Sequence, residues 1–341
     1  MTDKSMTVGL IGLGRMGARL AEAALCAGAK VVAALDHTEN PFALDARPEL
    51  KPVFTQDARA FWNVRPDAVL IAATAPAHVP LLLDGIAAGI RRFVVEKPFC
   101  TGVAEGETAL QAIAESGARV VVNHGRRYCP NYAALAALDG AAKMGGLRAI
   151  SVSLGAGGLG SLGVHFFDLF NRLFGGAPAS VTAIAAGATP PNPRGSAFHD
   201  PGACALLAWP DGRRAVLDMC DDTGIPPFME FRFTLGRVLI ENEMTPWRLF
   251  YRKAEDRALP LTRYGQPNEE IAWPDFQPYG PTEMATAAIR ESFGDGKIVS
   301  GTGSALEAIR VFAAIRESME TEHPVTLPIN DAMRRKTFAI P

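Results

Sequence analysis

The sequence predicts an α/β protein of two domains, an N-terminal doubly wound parallel sheet followed by an α+β domain with an open, mainly antiparallel sheet. Three observations carry this. Residues 8–17 read VGLIGLGRMG, an apolar run that breaks into Gly12-x-Gly14-x-x-Gly17 and passes into a helical pattern. The first third then alternates short apolar strands with helices at βαβ spacing. From Val181 to Tyr251 the texture becomes a succession of strands joined by turn signals. At 341 residues the chain exceeds what one core usually serves, so domains are expected over residues 1–125 and 126–341.

The first strand, residues 8–11, runs into the glycine turn. Gly12 permits the tight turn, Gly14 lets backbone approach a pyrophosphate, and Gly17 lets helix pack on strand. The helix N-terminus offers its free N–H groups and the positive end of its dipole to the anion. Gly12, Gly14, Arg15 and Met16 are the expected dinucleotide contacts. A second strand, residues 31–35, ends in Asp36, 22 residues after Gly14, where this turn places its ribose-binding acid. An Asp accepts hydrogen bonds from a 2′-hydroxyl and repels a 2′-phosphate, which favours NAD over NADP, although His37 beside it tolerates a phosphate. Strands follow at 68–73, 93–95 and 120–123, and the intervening helices end at Gly28, Gly89 and Gly117. The pattern is that of a Rossmann-type parallel sheet.

Past Arg126 come a helix near 132–138, a strand at 147–154, the glycine-dense run GAGGLGSLG at 155–163 and a helix beginning near Val164. Strands then read at 181–186, 203–209, 213–219, 229–235, 237–241 and 247–251, with turns such as Pro210-Asp211-Gly212. Short turns between neighbouring strands make the sheet largely antiparallel. Residues 190–201 and 257–281 are rich in Pro, Gly and aromatics and too long for tight turns, a length at which loops are often functional. A helix at 304–321 and an apolar segment at 325–329 follow.

Composition narrows the partners. Hydrophobic content of 48% with 21% charged residues is that of a globular enzyme, and a net charge of −2 with scattered Arg pairs gives nucleic acid no basic field to meet. The opening residues lack a charged-then-apolar signal pattern, and the longest apolar stretch, 68–83, is broken by Pro76, His78 and Pro80. Neither secretion nor membrane insertion is expected. Five cysteines without a CxxC pair or zinc spacing read as reduced thiols in a cytoplasm, and no metal site is expected.

Three further motifs stand in order behind the glycine turn: Ala73-Thr74-Ala75-Pro76-Ala77-His78, Glu96-Lys97-Pro98, and Gly163-Val164-His165-Phe166-Phe167-Asp168. Together they resemble the glucose-fructose oxidoreductase / inositol dehydrogenase / rhizopine catabolism (Gfo/Idh/MocA) family of NAD(P)-dependent dehydrogenases. The resemblance runs nearly end to end, since residues 123–128 resemble the family's crossover segment and 300–306 its last helix start. It implies that Lys97 is the catalytic lysine beside the nicotinamide and that Glu96 touches the cofactor ribose. It also implies that Thr74, Pro76 and His78 pass under the cofactor and that Asn123 reaches the nicotinamide side.

The chemistry wants such a lysine. Oxidising an alcohol by hydride transfer leaves a proton on oxygen, so a base must stand within about 3 Å of the hydroxyl. Lys serves if burial or a nearby cation brings its pKa toward about 7–8. Without the resemblance, Lys97 reads as a surface lysine paired to Glu96. His165 is the second candidate. In a helix from Val164, His165, Asp168 and Arg172 share one polar stripe, with Leu162, Phe166, Leu169, Phe170 and Leu173 on the buried one. A histidine with a carboxylate one turn away is an oriented acid or base; its bland reading is a satisfied core histidine. Arg126, Arg127 and Tyr128, at the expected domain junction, are candidates for a substrate phosphate or carboxylate, or for salt bridges.

One position departs from the family. The family carries Asp four residues before this histidine, as D-x-G-x-H, whereas here Ser161-Leu162-Gly163-Val164-His165 stands. Ser161 holds no charge to pair with Lys97; it can cap the helix. Either the substrate contacts, Lys97, Arg127, Tyr128, Ser161, His165 and Asp168, form an altered proton relay, or the chain keeps NAD without the usual dehydrogenation. The expectation is reversible hydride transfer between nicotinamide and a secondary hydroxyl or keto carbon of a sugar, cyclitol or nucleotide-linked sugar. A homodimer or homotetramer through the C-terminal sheet goes with it. The alternatives are a hydrolase or isomerase of the same fold using tightly bound NAD transiently, and a catalytically silent sugar-sensing subunit.

Overall fold

The computed structural model describes all residues except 1–4, 156, 188, 190, 221, 222, 225 and 261–267. Part of the glycine run and parts of both long stretches singled out above thus lie outside the described residues. In chain order the elements are β1 (Thr7–Ile11), α1 (Arg15–Cys26), β2 (Lys30–Leu35), α2 (Phe42–Ala46), β3 (Phe54–Thr55), α3 (Ala58–Asn63), β4 (Ala68–Ile71) and α4 (Ala75–Ala87). Next are β5 (Arg92–Val95), α5 (Val103–Ser116), β6 (Arg119–Val122), α6 (Pro130–Ala136), β7 (Leu147–Leu154), α7 (Val164–Phe174), β8 (Ser180–Ala185), β9 (Ala203–Ala208) and β10 (Arg214–Met219). The remainder are β11 (Phe228–Phe233), β12 (Gly236–Ile240), β13 (Arg248–Tyr251), β14 (Glu269–Ala272), α8 (Pro281–Phe293), α9 (Thr302–Thr321), β15 (Val325–Thr326) and α10 (Asp331–Arg334).

Two compact units emerge. The first holds the chain up to Tyr128 together with Gly280–Arg310 and Arg334–Pro341; the second holds Cys129–Tyr279 and Val311–Met333. The chain therefore returns twice to its first unit, which a single division after residue 125 does not include. Helix α8 accounts for the longer return: Ala285, Ala288 and Ile289 enter the core that holds Leu20, Ala21 and Ala24 of α1 and Val8 and Leu10 of β1. Arg290 also donates to the carbonyl of Cys26 at 2.7 Å, closing the contact at one end of α1. Pro281 at the start, Glu283 in the first turn and Arg290 in the last match the backbone and dipole needs of a helix.

The first unit carries a six-stranded parallel sheet in the order β3-β2-β1-β4-β5-β6. Its inner strands are apolar on both faces, as covering on both sides demands; all four residues of β4 are buried. The order reverses between β1 and β4, and at such a switch point the carboxyl ends of the strands open a crevice for a ligand. Elements α2, β3 and α3 between β2 and β4 are absent from the sequence reading because, at two to six residues each, they are too short to display a period.

The second unit carries a nine-stranded sheet, β14-β13-β12-β11-β7-β10-β9-β8-β15. It is antiparallel except where β7 pairs in parallel with β10. Alternate residues face a core, among them Val152, Leu207, Leu217, Phe231 and Val238, each at most 1% exposed. The other face keeps apolar residues in the open, with Ile184 at 63% and Leu206 at 46% exposure. Among the described residues no helix is long and apolar enough to cross a membrane.

Candidate active site

The glycine turn behaves as three different constraints. Gly12 has φ of +86°, and a Cβ there would lie 2.5 Å from the backbone nitrogen of Ala73 at the end of β4. A Cβ on Gly17 would stand 2.0 Å from the carbonyl oxygen of Gly12, so helix and strand approach as only glycine allows. Gly14 differs: a Cβ there would meet nothing within 4 Å. That open cradle lies where α1 begins, and no side chain caps the helix at Gly14. A helix start with no side-chain cap and open space at Gly14 suits a pyrophosphate. Arg15 is exposed, Met16 half-buried, and Asp36 is drawn onto the same turn, taking the amide of Leu13 at 2.6 Å and that of Thr38 at 2.8 Å. Exposed His37 stands 3.4 Å from the Asp36 carboxylate.

The ends of the neighbouring strands complete this edge. Backbone bonds tie Ala72 to Ile11, Glu96 to Ile71 and Asn123 to Val95, which aligns the carboxyl ends of β1, β4, β5 and β6. At the end of β4, Thr74 precedes α4 without making a side-chain cap, and Thr74 and Pro76 are exposed. His78, buried in α4, spans two segments: its Nδ1 lies 2.7 Å from the carbonyl of Pro98 and its Nε2 2.9 Å from that of Ala73. The ring thereby fixes the Glu-Lys-Pro turn against the turn that begins α4.

Glu96 is 4% exposed and its Oε1 accepts from Asn123 Nδ2 at 2.7 Å. Burial pushes its carboxyl above the ordinary carboxylate range, opposed in part by the charge of Lys97 and the Asn123 hydrogen bond. Lys97 follows, half-buried, at the lip of this edge. The second atom of the Asn123 amide, Oδ1, is buried with no hydrogen-bond partner among the described residues. An orphaned acceptor beside the strand ends has the right chemistry for a carboxamide N–H. Together with the Gly14 cradle it makes this edge fit a nicotinamide dinucleotide.

The rest of the sequence-derived set sorts unevenly. Tyr128 donates to Glu291 at 2.6 Å, and burial with that carboxylate raises its pKa. Arg127 Nη1 donates to the carbonyl of Val299 at 2.9 Å. Both bonds lie within the first unit, so these side chains hold α8 and the segment that follows it.

In the second unit, α7 is not the two-sided helix expected. Its residues are buried nearly all round, Asp168 at 2% exposure, while His165 and Arg172 are half-buried. In front of it, Leu159–Gly163 forms a single π-helical turn that leads straight into α7, with Leu159, Gly160 and Gly163 buried. Ser161 sits in that turn, its hydroxyl 3.3 Å from both the amide and the carbonyl of Gly158. Sequence reasoning missed Asp200, whose carboxylate takes the amides of Gly160 and Ser161 from some 40 positions away. It lies in an aperiodic stretch with no signal in sequence.

Residues 6–124 match the profile of an oxidoreductase family with an NAD-binding Rossmann fold, and residues 143–239 match the Gfo/Idh/MocA C-terminal domain. The chain belongs to the Gfo/Idh/MocA family. A Gfo/Idh/MocA chain with this N-terminal unit is an oxidoreductase whose cofactor is NAD. No curated protein matches its sequence. Among solved structures it resembles a levoglucosan dehydrogenase in complex with NADH and levoglucosan (18% identity, TM-score 0.77, covering 96% of this chain and 100% of that one). It also resembles an NAD-binding oxidoreductase from Klebsiella pneumoniae (19%, 0.76, 96% and 100%). A third is an oxidoreductase from Agrobacterium radiobacter in complex with NAD+, L-tartaric acid and magnesium (18%, 0.72, 95% and 98%). At these identities the Gfo/Idh/MocA likeness is one of fold. Among the described residues no group of three or more His, Cys, Asp or Glu side chains is placed to hold a metal ion.

Proposed function

We propose that the protein transfers a hydride reversibly between nicotinamide and a secondary hydroxyl or keto carbon of a carbohydrate-like substrate, a sugar, cyclitol or nucleotide-linked sugar. The observation that carries this reading is the shared strand edge: an open Gly14 cradle, an unpartnered Asn123 oxygen and half-buried Lys97 after a buried carboxylate. Bound NAD supplies the hydride acceptor at its nicotinamide ring. Gly12, Gly14, Arg15, Met16 and Asp36 hold the dinucleotide, with Glu96 and Asn123 toward the ring. Lys97 takes the hydroxyl proton during oxidation and returns it during reduction. His165 assists proton transfer, and Asp36 sets the preference for NAD over NADP.

The test is to purify the protein, identify any retained nucleotide, and follow nicotinamide absorbance with NAD and NADP against free, acidic and nucleotide-linked sugars and cyclitols. NADH formation with one substrate class is the expected result, and Asp36→Ala should narrow the NAD preference. Substrate consumption with retained NAD and no net NADH would make it a hydrolase or isomerase; binding without turnover would make it a sensor.

The reading places the protein in the cytoplasm, joined to a second copy through the exposed face of its nine-stranded sheet. Supporting this, Ile184, Leu206, Val216 and Phe228 share one face by strand register. Leu206→Glu puts a charge in that patch and should lower the sedimentation coefficient to that of a monomer; an unchanged coefficient would move the interface elsewhere.

A further inference from the structure

We propose that Asp200 is a positioning residue: reaching in from the β8–β9 connection, its carboxylate clamps the turn that leads into α7 and so fixes His165. This deepens the reading above, resting on the assignment of His165 to proton transfer. The π-helical turn Leu159–Gly163 opens with amides that have no partner inside the helix. All of the first three are taken by the connection. The carbonyl of Pro201 accepts from Leu159 at 3.0 Å, and Asp200 Oδ1 and Oδ2 accept from Gly160 at 2.6 Å and Ser161 at 2.8 Å.

Three further observations make this a built clamp. Asp200 is 5% exposed, and a carboxylate so buried needs its charge answered; the two amides, at the positive end of a helical turn, do so, with the Arg316 guanidinium close enough to feel it. The fit is tight, since a Cβ on Gly158 would lie 2.0 Å from Asp200 Cγ. That close approach explains a glycine at 158. The local alternative is weak, because Ser161 Oγ reaches Gly158 only at 3.3 Å. Ser161 therefore does not hold the turn alone. His165 is the second residue of α7 and follows the clamped turn directly, so a frayed turn displaces it.

The test is amide hydrogen exchange at residues 159–161 on full-length protein, wild type against Asp200→Ala and Asp200→Asn, with and without added formate. Asp200→Ala is expected to speed exchange at Gly160 and Ser161 by at least about tenfold, and formate, placing a carboxylate in the vacated space, to restore protection. Asn retains one acceptor, so one of the two amides should lose protection and the other keep it; this arm decides the matter if the alanine variant fails to fold. Unchanged protection at both amides in either variant would overturn the clamp. With the substrate identified by the absorbance panel, Asp200→Ala should lower kcat far more than it raises KM, with NAD affinity unchanged and partial rescue by formate. Lost protection with unaltered kcat would overturn the positioning role. Absence of turnover in the wild type would sink the oxidoreductase reading and with it the positioning role, whereas the exchange measurement decides the clamp by itself.

Discussion

Lys97→Met is expected to lower turnover by about two to four orders of magnitude, the usual contribution of a positioned proton-transfer group, while NAD affinity stays within about twofold of wild type. Met keeps the length and apolar stem of the side chain and removes only the ammonium. The nucleotide contacts at Gly12, Gly14 and Asp36 stand just past the end of β1, just before the start of α1 and just past the end of β2, so they are untouched. One side effect follows from electrostatics: the Lys97 charge helps hold down the carboxyl of Glu96, which burial raises, so its loss drives Glu96 further toward the neutral form. Lys97→Arg separates the two roles. Arg keeps the positive charge but does not surrender its proton, so it should leave Glu96 as it is and still be as slow as Met. Steady-state kinetics with nucleotide titration read both variants, and an arginine variant with more than about a tenth of wild-type turnover would remove Lys97 from proton transfer.

The glycine turn offers the second large effect as a contrast between neighbours. Gly17→Ala forces a Cβ to 2.0 Å from a backbone oxygen, and neither α1 nor the strand it packs on can yield without losing core contacts. A cost of about 3 kcal/mol is expected, the upper end of the usual range for overpacking, with a matching fall in melting temperature. Gly14→Ala has open space around it and φ of −73°, which Ala adopts freely, so stability should change by no more than about 0.5 kcal/mol. Its methyl group occupies the cradle instead, and NAD affinity should fall by at least about tenfold. Melting curves and calorimetric titration distinguish the two. Full NAD affinity in a well-folded Gly14→Ala protein would show that the dinucleotide lies elsewhere.

What sequence made legible is what short-range rules dictate. Gly12, Gly14 and Gly17 stand at fixed spacing because the strand-turn-helix geometry leaves no other choice, and apolar strands at βαβ intervals follow from a sheet covered on both faces. The antiparallel texture between Val181 and Tyr251 was visible for the same reason. Long-range pairings were not. The parallel neighbour of β7 is β10, some 60 residues on, and nothing in either strand encodes that choice. Helix α8 has ordinary terminal signals, yet its partner α1 lies at the other end of the chain. Asp200 shows the limit most sharply: its role exists only because folding brings one carboxylate onto two amides.

The return of α8 to the first unit sets terms for any dissection of this chain. A piece cut after Tyr128 keeps every strand of the parallel sheet and the entire glycine turn, yet it strips Leu20, Ala21 and Ala24 of the alanines and isoleucine that cover them. What remains has the motif and lacks its lid of small side chains, a recipe for sticky, molten material. Swapping cofactor preference between relatives by exchanging contiguous halves meets the same obstacle. A transplant that works must carry Gly280–Arg310 and Arg334–Pro341 along with the amino-terminal stretch.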